Sequence, residues 1–261
     1  MPELAEVEYY RRLADTALGR EITKVSAPDP WFLKAGLTAR ALRTAVVGRS
    51  FTATRRIGKL LLLDTSGDGP VVGLRFGMTG VLLVDGGRGV DELLYSSMRD
   101  EPAWDRVTFH FAGGGDLRVR DPRRLGGVLF DPDEARLGVD AQALTLADLR
   151  AALAKSRAPL KARLMGQARV AGVGNLAADE LLWRAGLDPA REAGSLDAAE
   201  VRKLHRTLLR TFEDLLSGGG SHTGRLQAHR VPGGRCPRDG AELIRRTIGG
   251  RTTWSCPDHQ R

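Results

Sequence analysis

Cysteine is nearly absent. The 261 residues hold two, Cys236 and Cys256, both near the C-terminus. Two thiols exclude the multi-bridge framework of small secreted scaffolds. Long apolar runs are missing too: no stretch reaches about 18 apolar residues, so no membrane span is expected. Acids follow Met1 within a few positions, which argues against a secretory leader and places the chain in the cytoplasm. No tandem repeat or low-complexity tract occurs. Negative charge is in deficit. Lys and Arg number 40 against 32 Asp and Glu, a formal charge of +8, and the isoelectric point is near 10.1. That balance points toward a polyanionic partner, although a merely basic soluble protein has the same numbers.

Texture divides what is present. The opening "PELAEVEYYRRLADTAL" sets Leu4, Val7, Tyr10 and Leu13 at helical spacing. From about Ile22 to Phe130, short apolar runs such as "KLLLLDT" and "RVTFHF" are broken by Gly, Asp and Pro, as in a many-stranded β-sandwich or barrel. Residues 146–217 read as several helices, one of them starting after a Ser195 cap and ending at Gly218–Gly220. The tail from Gly219 has eight Arg, no Lys and three acids. The expected plan is α+β: a β domain with an N-terminal helix (1–130), a linker (131–145), a helical domain (146–220) and a small appendix (221–261).

Five stretches carry chemistry. Pro2 fits the first turn of a helix, and acids behind it fit the helix dipole. With Met1 removed, Pro2 is also a free secondary amine able to attack a sugar or carbonyl carbon. In "RRIGKLLLLDT", Lys59 stands at a hairpin tip, either to hold a phosphate or donate a proton, or only to guard a sheet edge. In "VRDPRRLGG", Arg123 and Arg124 sit in a turn that either enters a groove or lies on a plain surface. "APLKARLMGQ" reads as a helix, and "VAGVGNLAADELLWRAG" as a Gly turn opening another at Asn175: a phosphate clamp or an ordinary helical hairpin. In the tail, two residues separate Cys236 from Asp239, and two separate Cys256 from His259, with sixteen residues between the pairs. That is the layout of a structural zinc site, against the alternative of two free thiols.

In this order the pieces resemble the formamidopyrimidine-DNA glycosylase and endonuclease VIII family of DNA repair enzymes, over nearly the whole chain. The opening resembles "PELPEVE", "LGVDAQAL" resembles the family linker, "VAGVGNLAADELLWRAGLDP" its helix–two-turn–helix, and "GGRTTWSCPDHQ" its zinc-finger end. The resemblance implies an N-terminal β-sandwich, a helix–two-turn–helix domain and a β-hairpin zinc finger. It implies a monomeric glycosylase and abasic-site lyase acting on damaged double-stranded DNA in the bacterial nucleoid. By the same resemblance Pro2 is the nucleophile, Glu3 the acid that opens the sugar, and Lys59 a hairpin residue assisting near the lesion. Asn175 and Arg251 would grip phosphates. Met78 and Arg123 would fill the gap left by the extruded nucleotide, with Leu125 as a wedge. Cys236, Asp239, Cys256 and His259 would hold one Zn2+.

Several positions depart from the family pattern. Ala5 replaces Pro, Ala177 replaces Tyr, Arg75 stands for His, and Leu125 stands for Phe and makes a smaller wedge. Asp239 and His259 replace two Cys. The short stretch from Gly220 to Cys236 suggests that a long lesion-covering loop is absent, which favours oxidised pyrimidines or a broad range. A non-catalytic damage-binding protein is the alternative, but it would need no Pro directly after Met1. A zinc-finger regulator lacks an evident recognition helix.

Overall fold

The computed structural model describes residues 2–94, 96–97 and 99–261; Met1, whose removal the sequence leads one to expect, lies outside the described residues. The chain forms two compact units, Met1–Glu134 and Ala135–Arg261.

The first unit begins with α1 (Leu4–Ala14), whose Leu4, Val7, Tyr10 and Ala14 are buried. Its strands are β1 (Ile22–Ser26), β2 (Phe51–Ile57), β3 (Leu60–Thr65), β4 (Val72–Arg75), β5 (Val81–Val84), β6 (Gly87–Arg88), β7 (Asp105–Phe111), β8 (Asp116–Arg120) and β9 (Gly127–Phe130). They make a five-stranded sheet, order β1-β7-β8-β5-β6, and a four-stranded sheet, order β2-β3-β4-β9. Every strand pair within these two sheets is antiparallel. One apolar core joins Tyr10 of α1 to Leu61 and Leu63 of β3, Leu74 of β4 and Phe109 of β7. The expected run of strands is interrupted by a helix, α2 (Ala39–Val46), capped by the Thr38 hydroxyl. Only Leu42 and Val46 anchor it. Two apolar positions four apart are too few to mark a helix among Ala and Arg.

The second unit holds β10 (Val139–Asp140), α3 (Leu146–Leu153), α4 (Leu160–Leu164), β11 (Val170–Ala171), α5 (Asn175–Ala185), α6 (Ala198–Gly218), β12 (Ile244–Ile248) and β13 (Arg251–Ser255). β10 pairs in parallel with β11, and β12 with β13 in an antiparallel hairpin. Two boundaries differ from expectation. α6 is capped by Asp197, not Ser195: the Asp197 carboxylate accepts the Glu200 amide (2.8 Å), and Glu200 accepts the Asp197 amide (2.9 Å). That reciprocal box satisfies two orphan amides at once, while the Ser195 hydroxyl is used locally on the Glu192 carbonyl (2.8 Å). α4 is shorter than "APLKARLMGQ" suggested, because a turn through Gly166 leads the chain into β11.

Candidate functional site

Pro2 is buried and stands just before the residue that caps α1. Glu3, fully buried, is the N-cap. Its amide donates to Glu6 Oε2 (2.8 Å), and its carboxylate accepts from the Glu6 amide. The opening motif is thus a capping box as well as a candidate reactive group. Further along α1, the Glu8 carboxylate receives Arg11 Nη2 (3.0 Å), Arg12 Nε (3.0 Å) and Arg56 Nε (3.3 Å). Burial alone would raise the Glu8 pKa; the guanidinium groups outweigh it and hold the carboxyl below its ordinary range. Arg56 Nη1 donates to the Gly58 carbonyl (2.9 Å). Gly58 and half-buried Lys59 form the two-residue turn between β2 and β3. Gly58 takes φ +57° and Lys59 does not have positive φ, the pattern of a type II′ turn with Gly first. Arg56 therefore fastens the Lys59 turn to α1, the helix that follows Pro2 and Glu3.

Three more loops leave the same end of this sheet. Leu60 pairs with Arg75, Arg75 pairs with Gly127, and Leu33 bridges Val128 in parallel. The order across the edge is therefore Lys59, the Met78 turn, the Arg123–Leu125 loop, and residues 31–34. Gly77 has φ +57°, and a Cβ there would lie 2.5 Å from the Leu125 carbonyl carbon, so the Met78 turn and the Leu125 loop are pressed together. Asp121, fully buried, organises both. Its Oδ1 accepts the Thr79 hydroxyl and the Arg123 amide (3.2 Å), and its Oδ2 accepts the Gly126 amide (2.8 Å). Met78 stays half-buried, while Arg123 and Leu125 point outward. Arg124, at φ +58°, turns back to clasp Asp29 through Nε and Nη2, both at 2.6 Å. That hydrogen-bonded guanidinium holds the Asp29 carboxyl below the ordinary carboxylate range, against the opposing effect of burial.

In the second unit, Asn175 is the first residue of α5 rather than its cap. Gly174 is the N-cap and offers no side chain. Gly174 therefore supplies no cap of its own to this helix start, the kind of helix end at which anions bind. Asn175 Oδ1 is buried with no hydrogen-bond partner among the described residues. Arg251 is exposed after the Gly249–Gly250 turn, where both glycines have positive φ (+57° and +72°). A Cβ on Gly249 would lie 2.8 Å from Ala162 Cβ, so the hairpin tip rests on α4. Beneath it is a buried ionic node. Lys161 Nζ meets Asp179 Oδ1 (2.7 Å), Thr253 Oγ1 (2.8 Å) and the Thr252 carbonyl (3.2 Å). Asp179 Oδ2 accepts Arg230 Nη2 (2.9 Å) and the Trp254 amide (3.2 Å). Burial raises the Asp179 pKa; Lys161 and Arg230 pull against it. Asn175 and Arg251 stand on different elements, and this node joins those elements.

The tail brings Cys236, Asp239, Cys256 and His259 together, with one ligand atom from each within 4.8 Å of all the others. His259 Nδ1 lies 2.6 Å from Asp239 Oδ2 and 3.7 Å from Cys236 Sγ, and Cys256 Sγ lies 3.2 Å from Asp239 Oδ2. The groups behind the four suit a metal. His259 Nε2 is 3.1 Å from the Trp183 carbonyl, which leaves Nδ1 for a ligand role. The Trp183 indole N–H (3.3 Å) and the Arg238 amide (3.4 Å) both donate to Cys236 Sγ, as befits a thiolate. Burial pushes the Cys256 thiol up to about 11. The cluster can hold a metal.

Sequence reading did not find Arg56, Asp121, Lys161, Asp179 or Arg230 as supporting residues. Asp121 was visible inside "DPRR", but its use as a loop organiser depends on Thr79, 42 residues away. Lys161 sits beside Leu160 on a short helix and has no pattern of its own.

The comparisons agree with this geometry. A model of the formamidopyrimidine-DNA glycosylase N-terminal domain matches residues 1–128, and a model of the formamidopyrimidine-DNA glycosylase H2TH domain matches 137–225. The formamidopyrimidine-DNA glycosylase of Heliobacterium modesticaldum is 35% identical over 288 aligned positions, covering all of both chains. That of Carboxydothermus hydrogenoformans is 33% identical over 276, again covering all of both. Among solved structures, Lactococcus lactis Fpg in complex with abasic-site DNA superposes with a TM-score of 0.83 at 26% identity, covering all of both chains. The same protein with oxidised-pyrimidine DNA gives 0.83 at 27%, again covering all of both. Matched by both domain models and aligned end to end with these relatives, the chain belongs to the formamidopyrimidine-DNA glycosylase family.

Proposed function

We propose that the chain is a bifunctional DNA glycosylase and abasic-site lyase of base excision repair, acting as a monomer on double-stranded DNA with damaged bases or abasic sites. The observation that carries this is the fastening of the Pro2–Glu3 helix to the Lys59 turn through Glu8 and Arg56. The Lactococcus lactis complexes support the partner. Among the described residues no helix is long and apolar enough to cross a membrane. The family's bacterial relatives suit work at a bacterial nucleoid.

The chemistry follows from the groups present. After Met1 is removed, the Pro2 nitrogen attacks C1′ of the damaged nucleotide. The bond from C1′ to the base breaks, and the base leaves with a proton. Glu3 gives a proton to the ring oxygen, the sugar opens, and an iminium joins Pro2 to C1′. Loss of a C2′ proton expels the 3′ phosphate; a second elimination expels the 5′ phosphate, and water then frees Pro2. Lys59 assists beside the lesion. The nucleotide must leave the stack for this to occur. Met78, Arg123 and Leu125 fill its place, and Asn175 and Arg251 hold the flanking phosphates. The segment from Gly220 to Cys236 contains two short 3₁₀ turns, Ser221–Thr223 and Gln227–His229. That compactness supports a lesion range that includes oxidised pyrimidines.

The donor set of two thiols, a carboxylate and an imidazole suits one structural Zn2+ with no open position. It would fix the hairpin that carries Arg251.

The test is a panel of duplexes bearing oxidised pyrimidines, formamidopyrimidines or abasic sites, incubated with the protein and borohydride. A trapped covalent adduct and a nicked strand are expected. Tight binding with neither product would overturn the enzymatic reading.

A further inference from the structure

Trp31 is 68% exposed, the most exposed large apolar side chain among the described residues. It is held in place rather than loose. Its amide donates to Asp29 Oδ1 (3.1 Å), which starts a 3₁₀ turn at Pro30–Phe32. Asp29 is in turn clasped by Arg124 of the Arg123–Leu125 loop. The next residue, Phe32, is fully buried, and a Cβ on Gly126 would touch its ring at 3.1 Å. Lys34 Nζ lies 4.9 Å from the Trp31 ring centroid and donates to the Trp31 carbonyl (2.6 Å). An ammonium placed over an indole is attracted by its π face, and this one also brings a positive charge to the loop. The result is an exposed aromatic ring on an anchored turn, with a cation beside it, at the end of the sheet from which the Lys59, Met78 and Leu125 loops emerge.

The position on that edge decides what it would meet. Lys59, the Met78 turn, the Leu125 loop and residues 31–34 follow one another across neighbouring strands. At about 4.8 Å per strand they span about 14 Å. The reactive Lys59 is at one end, the gap-filling loops are in the middle, and Trp31 is at the other end.

We propose that Trp31, with Lys34, contacts the DNA strand opposite the lesion: the indole stacks on the orphaned base beside the Leu125 wedge, and Lys34 meets its phosphate. The inference rests on the reading of Met78, Arg123 and Leu125 as gap-fillers. A base unpaired by extrusion offers a free π face, and aromatic stacking on such a base is sequence-tolerant and strong enough to matter.

The experiment uses the full chain and a duplex with a tetrahydrofuran abasic analogue. Acrylamide quenching of tryptophan emission is measured free and bound, for the native protein and Trp31→Phe; the difference reports Trp31. Trp31 is expected to become shielded in the complex. Trp31→Ala should weaken binding roughly tenfold with an unchanged melting temperature, and Trp31→Phe should lose much less. The Trp31→Ala deficit should shrink when the orphaned base is itself removed. A Trp31 that stays equally quenchable in the complex, or a Trp31→Ala protein that binds within twofold of native, would overturn the proposal. So would equal losses in the Phe and Ala variants, since stacking needs only an aromatic face. Absence of native binding and of any borohydride adduct would instead overturn the repair function itself.

Discussion

In the first unit, the loops bearing Lys59, Met78 and Leu125 grow from a sheet whose inner face lies in a large apolar core. Single carboxylates fasten their turns: Asp121 by accepting two loop amides and a hydroxyl, Asp29 by accepting Arg124 and the Trp31 amide. In the second unit, the hairpin bearing Arg251 shares a small apolar cluster of Trp183, Leu226, Cys236, Leu243, Trp254 and Cys256. It depends on the Lys161–Asp179–Arg230 node on one side and on the Cys–Asp–Cys–His cluster on the other. The contrast concerns robustness. A loop on a thick core tolerates the loss of one fastening, because burial of apolar surface is shared among many groups. A hairpin that leans on a buried charge node does not, because removing one partner leaves buried charge less compensated.

The comparison can be broken or sharpened in four ways, from the largest effect down. Pro2→Gly, or an N-terminal tag that is not removed, should reduce the borohydride-trapped adduct to background while lesion-DNA binding persists. An undiminished yield would move the nucleophile to another amine, Lys59 first. Next is the metal. Native protein should carry one zinc per chain by elemental analysis, and Asp239→Ala and His259→Ala should carry much less. Stripping the metal should disorder the hairpin and leave the first unit's unfolding transition in place. A metal-free preparation that binds DNA as well as native would show that packing alone holds the hairpin. Third, Lys161→Met should destabilise the second unit by up to about 3–5 kcal/mol, since it removes one of the two cations that compensate the buried Asp179 carboxylate. Two unfolding transitions, of which only one shifts, are the expected record; a shift below about 1 kcal/mol would mean the node is dispensable. Smallest is Arg251→Ala. It should weaken binding to all sequences alike and flatten the log–log salt dependence by about one unit. A changed lesion preference with the salt slope intact would contradict a phosphate role.

Much of this site could be read directly from residue order. The opening "PELAEVE" told of a helix start, and the same Glu3 and Glu6 do form the capping box. Paired knuckles in the tail foretold a four-ligand cluster, because ligand spacing is a local property of the chain. The Gly turn before Asn175 was equally local, and the structure adds that Gly174, not Asn175, caps the helix. The helix α2 and the true cap of α6 were not read correctly. The first has too few apolar anchors, and the second was a choice between two nearby cap residues that only the reciprocal bond to Glu200 settles.

What the sequence alone determined is the inventory: a basic chain, a proline directly after Met1, a β region followed by helices, and four candidate ligands at matched spacing. What only the tertiary structure decided is adjacency. Arg56 and Gly58 lie two residues apart, yet their link to Glu8 crosses 48 positions. Asp121 reaches Thr79 across 42 positions and Lys161 reaches Thr253 across 92. The order Lys59, Met78, Leu125, Trp31 exists only on a folded sheet edge, because strand pairing ranks residues by register and not by position in the chain.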